Sequence, residues 1–178
     1  MPAGEIIFDT SCLLHLTAVG HENLLEERYG GRCYIPDEVE TEIKRGEVDH
    51  RFKCARLLQA SWWKPLSITD PDDQALFFDL LRRWGKPDRN RGEAAAIVLA
   101  KRRRCTAVLD DSQGRRAAEI LGIPKIGTVG ILTLIAVDGR LDEESCWAIH
   151  EAMVQNGFRS PLRTEQEFRY LVAKSRTP

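Results

Sequence analysis

The sequence has no excess of either charge, no paired-cysteine motif and no long hydrophobic run. Lys and Arg total 26 and Asp and Glu total 27, so the chain lacks the overall basic field of many nucleic-acid binders, and any such contact must be local. No segment approaches the roughly 18 apolar residues of a membrane span, and residues 1–5 lack the features of a signal peptide. We therefore expect a cytoplasmic protein that does not enter a membrane.

The cysteines are scattered and odd in number, with no C-x-x-C pair for zinc binding or redox chemistry. Reduced and mostly buried thiols are the expected state. The five positions are Cys12, Cys33, Cys54, Cys105 and Cys146.

Short apolar runs alternate with helical patterns along almost the whole chain. The length of 178 residues and the 43% hydrophobic content predict a single domain over residues 1–178. Parallel strands need crossover helices, so this alternation predicts an α/β fold with a parallel sheet covered by helices on both faces. The predicted strands are Ile6–Phe8, Cys33–Ile35, Pro65–Ile68, Thr106–Leu109 and Pro124–Ile126.

Acidic residues follow two of these strands. Asp9 ends the first run and Asp110–Asp111 ends the fourth, and sites in open α/β sheets form outside the carboxyl ends of the strands. Glu93 lies in the first turn of a nearly all-apolar helix, Gly92–Lys101, which we expect to be buried. Converging carboxylates repel one another, a cost that hard divalent cations remove. The pattern therefore predicts a Mg²⁺ or Mn²⁺ site suited to phosphodiester hydrolysis.

Four ordered motifs resemble those of PIN domains. They are Ile7-Phe8-Asp9-Thr10-Ser11, Ile35-Pro36 to Val39 followed by Glu42-Ile43, Gly92-Glu93-Ala94, and Leu109-Asp110-Asp111-Ser112-x-Gly114-Arg115. The similarity runs from Ile6 to about Leu141.

The resemblance implies a three-layer α/β/α fold with a central parallel sheet of four or five strands. It also implies one or two Mg²⁺ or Mn²⁺ ions and endoribonuclease activity, with RNA or possibly DNA as substrate. The family is often the VapC-like toxin half of a toxin–antitoxin pair, so an antitoxin partner and a homodimer are further expectations. Residues 142–178 look like the C-terminal helical extension of one PIN subgroup.

Carried over by position, the metal-binding and catalytic acids would be Asp9, Glu42, Glu93 and Asp110 or Asp111. The second motif leaves Glu38 and Glu40 as alternatives to Glu42, which is chosen because it directly precedes Ile43. Of the paired acids we expect one ligand and one helix cap, with Asp110 preferred as the ligand. The candidate substrate-binding residues are Thr10, Ser11, Ser112 and Arg115.

Plainer interpretations exist for these residues. Asp9 is a favourable helix N-cap, and Glu93 near a helix start stabilises the helix dipole without a metal. Trp62–Trp63 could stack on bases but more often such residues pack in a core. Likewise Trp147, with Phe158 and Phe168, could form a dimer contact or seal the core. The alternative function is therefore a non-catalytic PIN-like module that binds nucleic acid or protein.

Overall fold

The computed structural model describes residues 4–48, 55–85 and 90–177, and its centre is a five-stranded, all-parallel sheet. The strand order is β3-β2-β1-β4-β5. The α/β prediction and the upper strand count are therefore confirmed. The strands are β1 (Ile6–Phe8), β2 (Cys33–Pro36), β3 (Trp63–Leu66), β4 (Thr106–Val108) and β5 (Lys125–Ile126).

Helices cover both faces of the sheet, which makes the fold a three-layer α/β/α sandwich. The described helices are α1 (Thr10–Ala18), α2 (Asn23–Tyr29), α3 (Asp37–Val48), α4 (Ala55–Gln59), α5 (Pro71–Trp84), α6 (Arg91–Arg103), α7 (Ser112–Ile120), α8 (Thr128–Val137), α9 (Glu143–Gln155) and α10 (Glu165–Arg176). Side chains alternate along the central strand, because Ile6 and Phe8 join one apolar core while Ile7 joins the other. The first core also contains residues of α1 to α3 and α8 to α10, and the second contains residues of α5 to α7.

The two halves of the sheet meet between the neighbouring strands β1 and β4. From β1 the chain builds β2 and β3 outwards on one side, and it then returns to place β4 on the other side of β1. Loops that leave the carboxyl ends of β1 and β4 therefore run in opposite directions and leave a crevice between them. This crevice is the place where the fold positions a site.

Helix α6 is buried on every side, as its composition predicted. All residues from Gly92 to Ala100 are buried, and the helix packs against α3 and α5 as well as against the strands. The acid in its first turn, Glu93, is therefore held by a rigid element.

Helices α9 and α10 pack on α8 and on each other. Phe168 and Val172 of α10 are fully buried, and Phe158, between the two helices, is 5% exposed. Trp147 is half-buried beside His150 and Phe168. In the chain as described, these aromatic residues close the core.

The predicted bounds of β3 were wrong. We expected β3 at Pro65–Ile68, but it spans Trp63–Leu66 because it pairs with β2 in the register Cys33 to Trp63. Pro65 is compatible with that position, since β3 lies at the edge of the sheet.

The thiols that the structure describes are free and buried, as predicted. They are Cys12, Cys33, Cys105 and Cys146, whereas Cys54 lies outside the described residues. Burial raises the pKa of the Cys33 thiol well above its usual range, so it is an apolar core group.

None of the helices in the described ranges combines the length and the apolar character that crossing a membrane requires.

Candidate active site

The crevice between β1 and β4 brings the predicted acids together. The backbone N–H of Asp9 donates to the carbonyl oxygen of Val108 at 3.2 Å, which ties the ends of the two strands. A cavity of about 530 Å³ opens beside them. Its lining includes all five candidate acids and three of the four candidate substrate-binding residues, namely Asp9, Glu42, Glu93, Asp110 and Asp111 with Thr10, Ser11 and Ser112.

Asp9 stands at the N-cap position of α1 but makes no capping hydrogen bond there with its side chain. The plain capping interpretation therefore does not account for it. The Ser11 hydroxyl donates to its Oδ2 at 2.9 Å. Burial, followed by the nearby charge of Glu42, raises the pKa of Asp9 to about 6.

Glu42 is the acid of α3 that lines the cavity. Its carboxylate accepts hydrogen bonds from the Thr10 hydroxyl and, at 2.9 Å, from the backbone N–H of Gly92. Burial raises its pKa, although these hydrogen bonds oppose the effect. The alternative acids make other contacts, since Glu38 lies 3.9 Å from Arg91 and Glu40 pairs with Lys44 at 2.6 Å.

Glu93 is the most perturbed of the acids. Its side chain is 6% exposed, and its buried Oε1 has no hydrogen-bond partner among the described residues. Burial raises its pKa to about 8, and the charges of Asp9 and Asp111 act in the same direction. A buried carboxylate lowers the stability of a protein unless a positive charge or hydrogen-bond donors lie beside it. A cation bound next to Glu93 would therefore stabilise its ionised form.

Two glycines make room for these carboxylates. A Cβ atom on Gly114 would lie 2.1 Å from Oε1 of Glu93, and one on Gly92 would lie 2.7 Å from Oε2 of Glu42. Both contacts are shorter than real Cβ atoms tolerate. The absence of a side chain at these two positions is therefore part of the site.

The paired acids after β4 have different surroundings. Asp110 is half-buried and both of its oxygens accept from Thr128, Oδ1 from the backbone N–H at 2.7 Å and Oδ2 from the hydroxyl at 2.5 Å. Asp111 is exposed, and its Oδ1 caps α7 by accepting from the N–H of Gln113 at 2.7 Å. Asp110 therefore fixes the start of α8, while Asp111 is the member of the pair whose charge affects Glu93.

The hydroxyl groups of Thr10 and Ser11 orient Glu42 and Asp9 respectively. Ser112 is exposed and lines both this cavity and a larger groove of about 1090 Å³ next to it. Arg115 lines that groove, and its Nη1 donates to the carbonyl oxygen of Leu109 at 3.0 Å. Arg115 is thus tied to the end of β4 beside the acids.

Sequence reasoning missed Thr128 and the role of Gly114. Thr128 lies two residues after the end of β5, the strand next to β4, and a polar residue so near that strand end was a usable signal. The sequence analysis also did not place Phe158 or Arg159 at the site, although both line the cavity from the connection between α9 and α10.

The donor set fits a hard divalent cation in its chemistry. Oxygen ligands from carboxylates are those that Mg²⁺ and Mn²⁺ prefer. The charges of Asp9, Asp111 and Glu42 act on Glu93, whose buried Oε1 has no hydrogen-bond partner among the described residues. Across residues 4–48, 55–85 and 90–177, however, no group of three or more His, Cys, Asp or Glu side chains is arranged so that it could hold a metal ion. Binding would therefore require these side chains to adjust.

Comparison with known proteins agrees with this geometry. A family model described as a PIN domain matches residues 5–173, which is nearly the whole chain. The comparison with curated proteins found no match. The extent of the family match, together with the parallel sheet and its acids, shows that the chain belongs to the PIN-domain family.

Proposed function

We propose that this protein is a Mg²⁺- or Mn²⁺-dependent endoribonuclease that hydrolyses phosphodiester bonds at the cavity between β1 and β4. PIN domains are generally nucleases and typically use divalent metals, which supports a hydrolase acting on nucleic acid. The observation that carries the proposal is Glu93, a buried acid with an unpartnered oxygen beside Asp9. A bound cation would supply the missing charge.

Asp9, Glu93 and Asp111 are the acids that we assign to the metal. Asp9 and Glu93 have pKa values raised by burial, and Asp111 keeps one oxygen outside its helix cap. Asp110 is a further candidate ligand, but Asp111 ranks ahead of it because each oxygen of Asp110 already accepts a hydrogen bond from Thr128. When bound, the ion would stabilise phosphate charge and lower the pKa of an attacking water.

The other residues hold this arrangement in place. Glu42 is fixed by Thr10 and the Gly92 N–H, and with its raised pKa it is suited to exchange a proton with water at the cavity wall. Asp110 fixes the start of α8. Ser112 is exposed at the mouth of the cavity and is assigned to the substrate.

The test is cleavage of a mixed single-stranded RNA pool in Mn²⁺ or Mg²⁺, with parallel samples in EDTA. We expect metal-dependent cutting that Asp9→Asn and Glu93→Gln abolish. Asp72→Asn, an exposed acid on α5, is the matched control and should cut normally. Full activity of Asp9→Asn would refute the assignment, and a parallel DNA pool decides between the two substrates.

The alternative function is a non-catalytic binding module. That alternative depended on exposed tryptophans, but Trp62 is 7% exposed and Trp63 is half-buried, with its indole N–H donating to the Leu57 carbonyl oxygen at 2.8 Å. A melting temperature that Mn²⁺ raises in the parent but not in Glu93→Gln would support the enzyme. An identical response of the two proteins would favour the module.

A toxin role, with an antitoxin as partner, is a further proposal from the family. It fails if the product of a neighbouring gene neither binds the protein nor suppresses its activity.

A homodimer is proposed on the apolar surface around Ile120, which is 75% exposed next to a hollow lined by Leu80 and Trp84. A monomeric mass in light scattering would contradict it.

The buried free thiols suit a reducing compartment, so we also propose a cytoplasmic location, which cell fractionation would test.

A further inference from the structure

The connection between α9 and α10 brings a cation to the mouth of the acidic cavity. Arg159 lies in this connection and lines both the acidic cavity and the larger groove beside it. Asp110, Ser112 and Phe158 are the other residues that the two linings share. Arg159 therefore stands where the groove opens into the site.

Both neighbours of Arg159 are anchored to the fold. The ring of Phe158 is 5% exposed and lies 4.8 Å from the ring of His15 on α1, measured between centroids. The hydroxyl of Ser160 is 2.5 Å from Nε2 of His150, a residue of α9 that is 2% exposed. The backbone on each side of Arg159 is thus held against helices of the core, so the position of Arg159 is set in advance.

Arg159 is exposed and makes no ion pair or hydrogen bond with its side chain to any residue that the structure describes. Of the groove's other cations, Arg115 donates to a backbone carbonyl and Lys125 lies 3.5 Å from Glu119, while Arg116 lines the groove but not the acidic cavity. Although it shares a cavity with Asp110 and Asp111, Arg159 forms no salt bridge with either. Its guanidinium is available to a ligand that carries negative charge.

We infer that Arg159 binds a phosphate of a single-stranded polynucleotide that runs along the groove into the acidic cavity. This inference rests on the proposed nuclease function and names a positioning residue for its substrate. The geometry explains why a cation is needed here, because a polyanion approaching several carboxylates is repelled. A guanidinium at the entrance offsets that repulsion and, through its fork of donors, can fix the position of one phosphate.

The test compares Arg159→Ala and Arg159→Lys with Arg163→Ala. Arg163 is an exposed arginine four residues further along the same connection, and it lines neither the cavity nor the groove. Binding of a labelled single-stranded RNA is measured in the Asp9→Asn background over a range of salt concentrations, and cleavage kinetics are measured with Asp9 intact. Since Arg159 is exposed, its variants should fold normally, which circular dichroism checks.

We expect Arg159→Ala to weaken RNA binding about 3- to 10-fold and to reduce the slope of log Kd against log salt by about 0.7, the value of one phosphate contact on a single strand. KM should rise while kcat stays within about threefold, because the contact is made with bound and reacting substrate alike. Arg159→Lys should restore part of the loss, and Arg163→Ala should match the parent.

Two results would overturn the inference. If the parent cleaves RNA but Arg159→Ala keeps the parental KM and salt slope, Arg159 does not bind phosphate, while the proposed function stands. A fall in kcat alone, with the salt slope unchanged, leads to the same conclusion. If the parent neither binds nor cleaves any polynucleotide, the proposed function and this inference both fail.

Discussion

Because the carboxyl group of Glu93 is buried, we expect the metal-free protein to lose stability as the pH rises towards 8. Its pKa is raised by burial from 4.5 to about 8, so between these values the folded chain holds a proton that the unfolded chain has released. The free energy of unfolding therefore falls as pH rises through this interval and levels off above 8. A tenfold change in a protonation equilibrium is worth about 1.4 kcal/mol, so the whole loss is roughly 3 to 5 kcal/mol.

The interval from pH 6 to 8 isolates Glu93 from its neighbour. The pKa of Asp9 is raised only to about 6, so Asp9 is largely ionised above that pH. Glu93→Gln replaces the carboxyl group by an amide, which releases no proton between pH 6 and 8. Relative to the parent, its free energy of unfolding should therefore gain about 2 kcal/mol across this range, because Glu93 is half ionised at pH 8. Any stability that the buried amide costs is the same at every pH.

The assay is urea unfolding in EDTA at pH 6, 7 and 8, followed by circular dichroism. Glu26→Gln, an exposed acid on α2, is the control and should follow the parent at each pH. Adding Mn²⁺ at pH 8 should restore stability to the parent but not to Glu93→Gln, because the ion replaces the missing charge. If the parent and Glu93→Gln lose the same stability between pH 6 and 8, the reasoning about the buried charge is refuted.

Three further predictions concern the surroundings of this acid. Gly114→Ala should reduce the rate of cleavage at least about tenfold, since its Cβ would lie 2.1 Å from Oε1 of Glu93 and must displace the carboxylate. The control is Gly4→Ala, where the added Cβ meets open space and the rate should be parental. Equal rates for the two variants would contradict the prediction. Thr128→Val should lower the free energy of unfolding by about 1 to 2 kcal/mol in urea, because Oδ2 of Asp110 loses its hydroxyl donor; no change would mean that water replaces it. Binding of Mn²⁺ at pH 7 should release up to about one proton as Glu93 ionises. Calorimetry in two buffers of different ionisation enthalpy measures the number of protons released. Binding without proton release would show that Glu93 is not a ligand.

The sequence was sufficient for the parts of the site that depend on strand ends and local pattern. Asp9 and Asp110 follow strands that are adjacent in the sheet, so their proximity follows from topology alone. The burial of α6 could also be predicted, because a helix that is apolar all round must lie inside the fold.

What could not be predicted depends on contacts across the chain. The hydrogen bonds from Thr128 that occupy both oxygens of Asp110 are set by the distance between two strand ends, and no motif records that distance. The start of β3 at Trp63 is likewise fixed by pairing with β2 rather than by local composition. Arg159 reaches the cavity only because distant helices anchor Phe158 and Ser160.

The burial of α6 also limits how this protein can evolve. Glu93 sits on a helix with no free face from Gly92 to Ala100, so it cannot be displaced without repacking the second core. The connection that carries Arg159 is mostly exposed and can vary in charge, since Phe158 is its only buried residue in the part of the chain that the structure describes. Related chains should therefore keep the position of this acid while they diverge at the entrance, and differences in the polynucleotides that they accept should arise there.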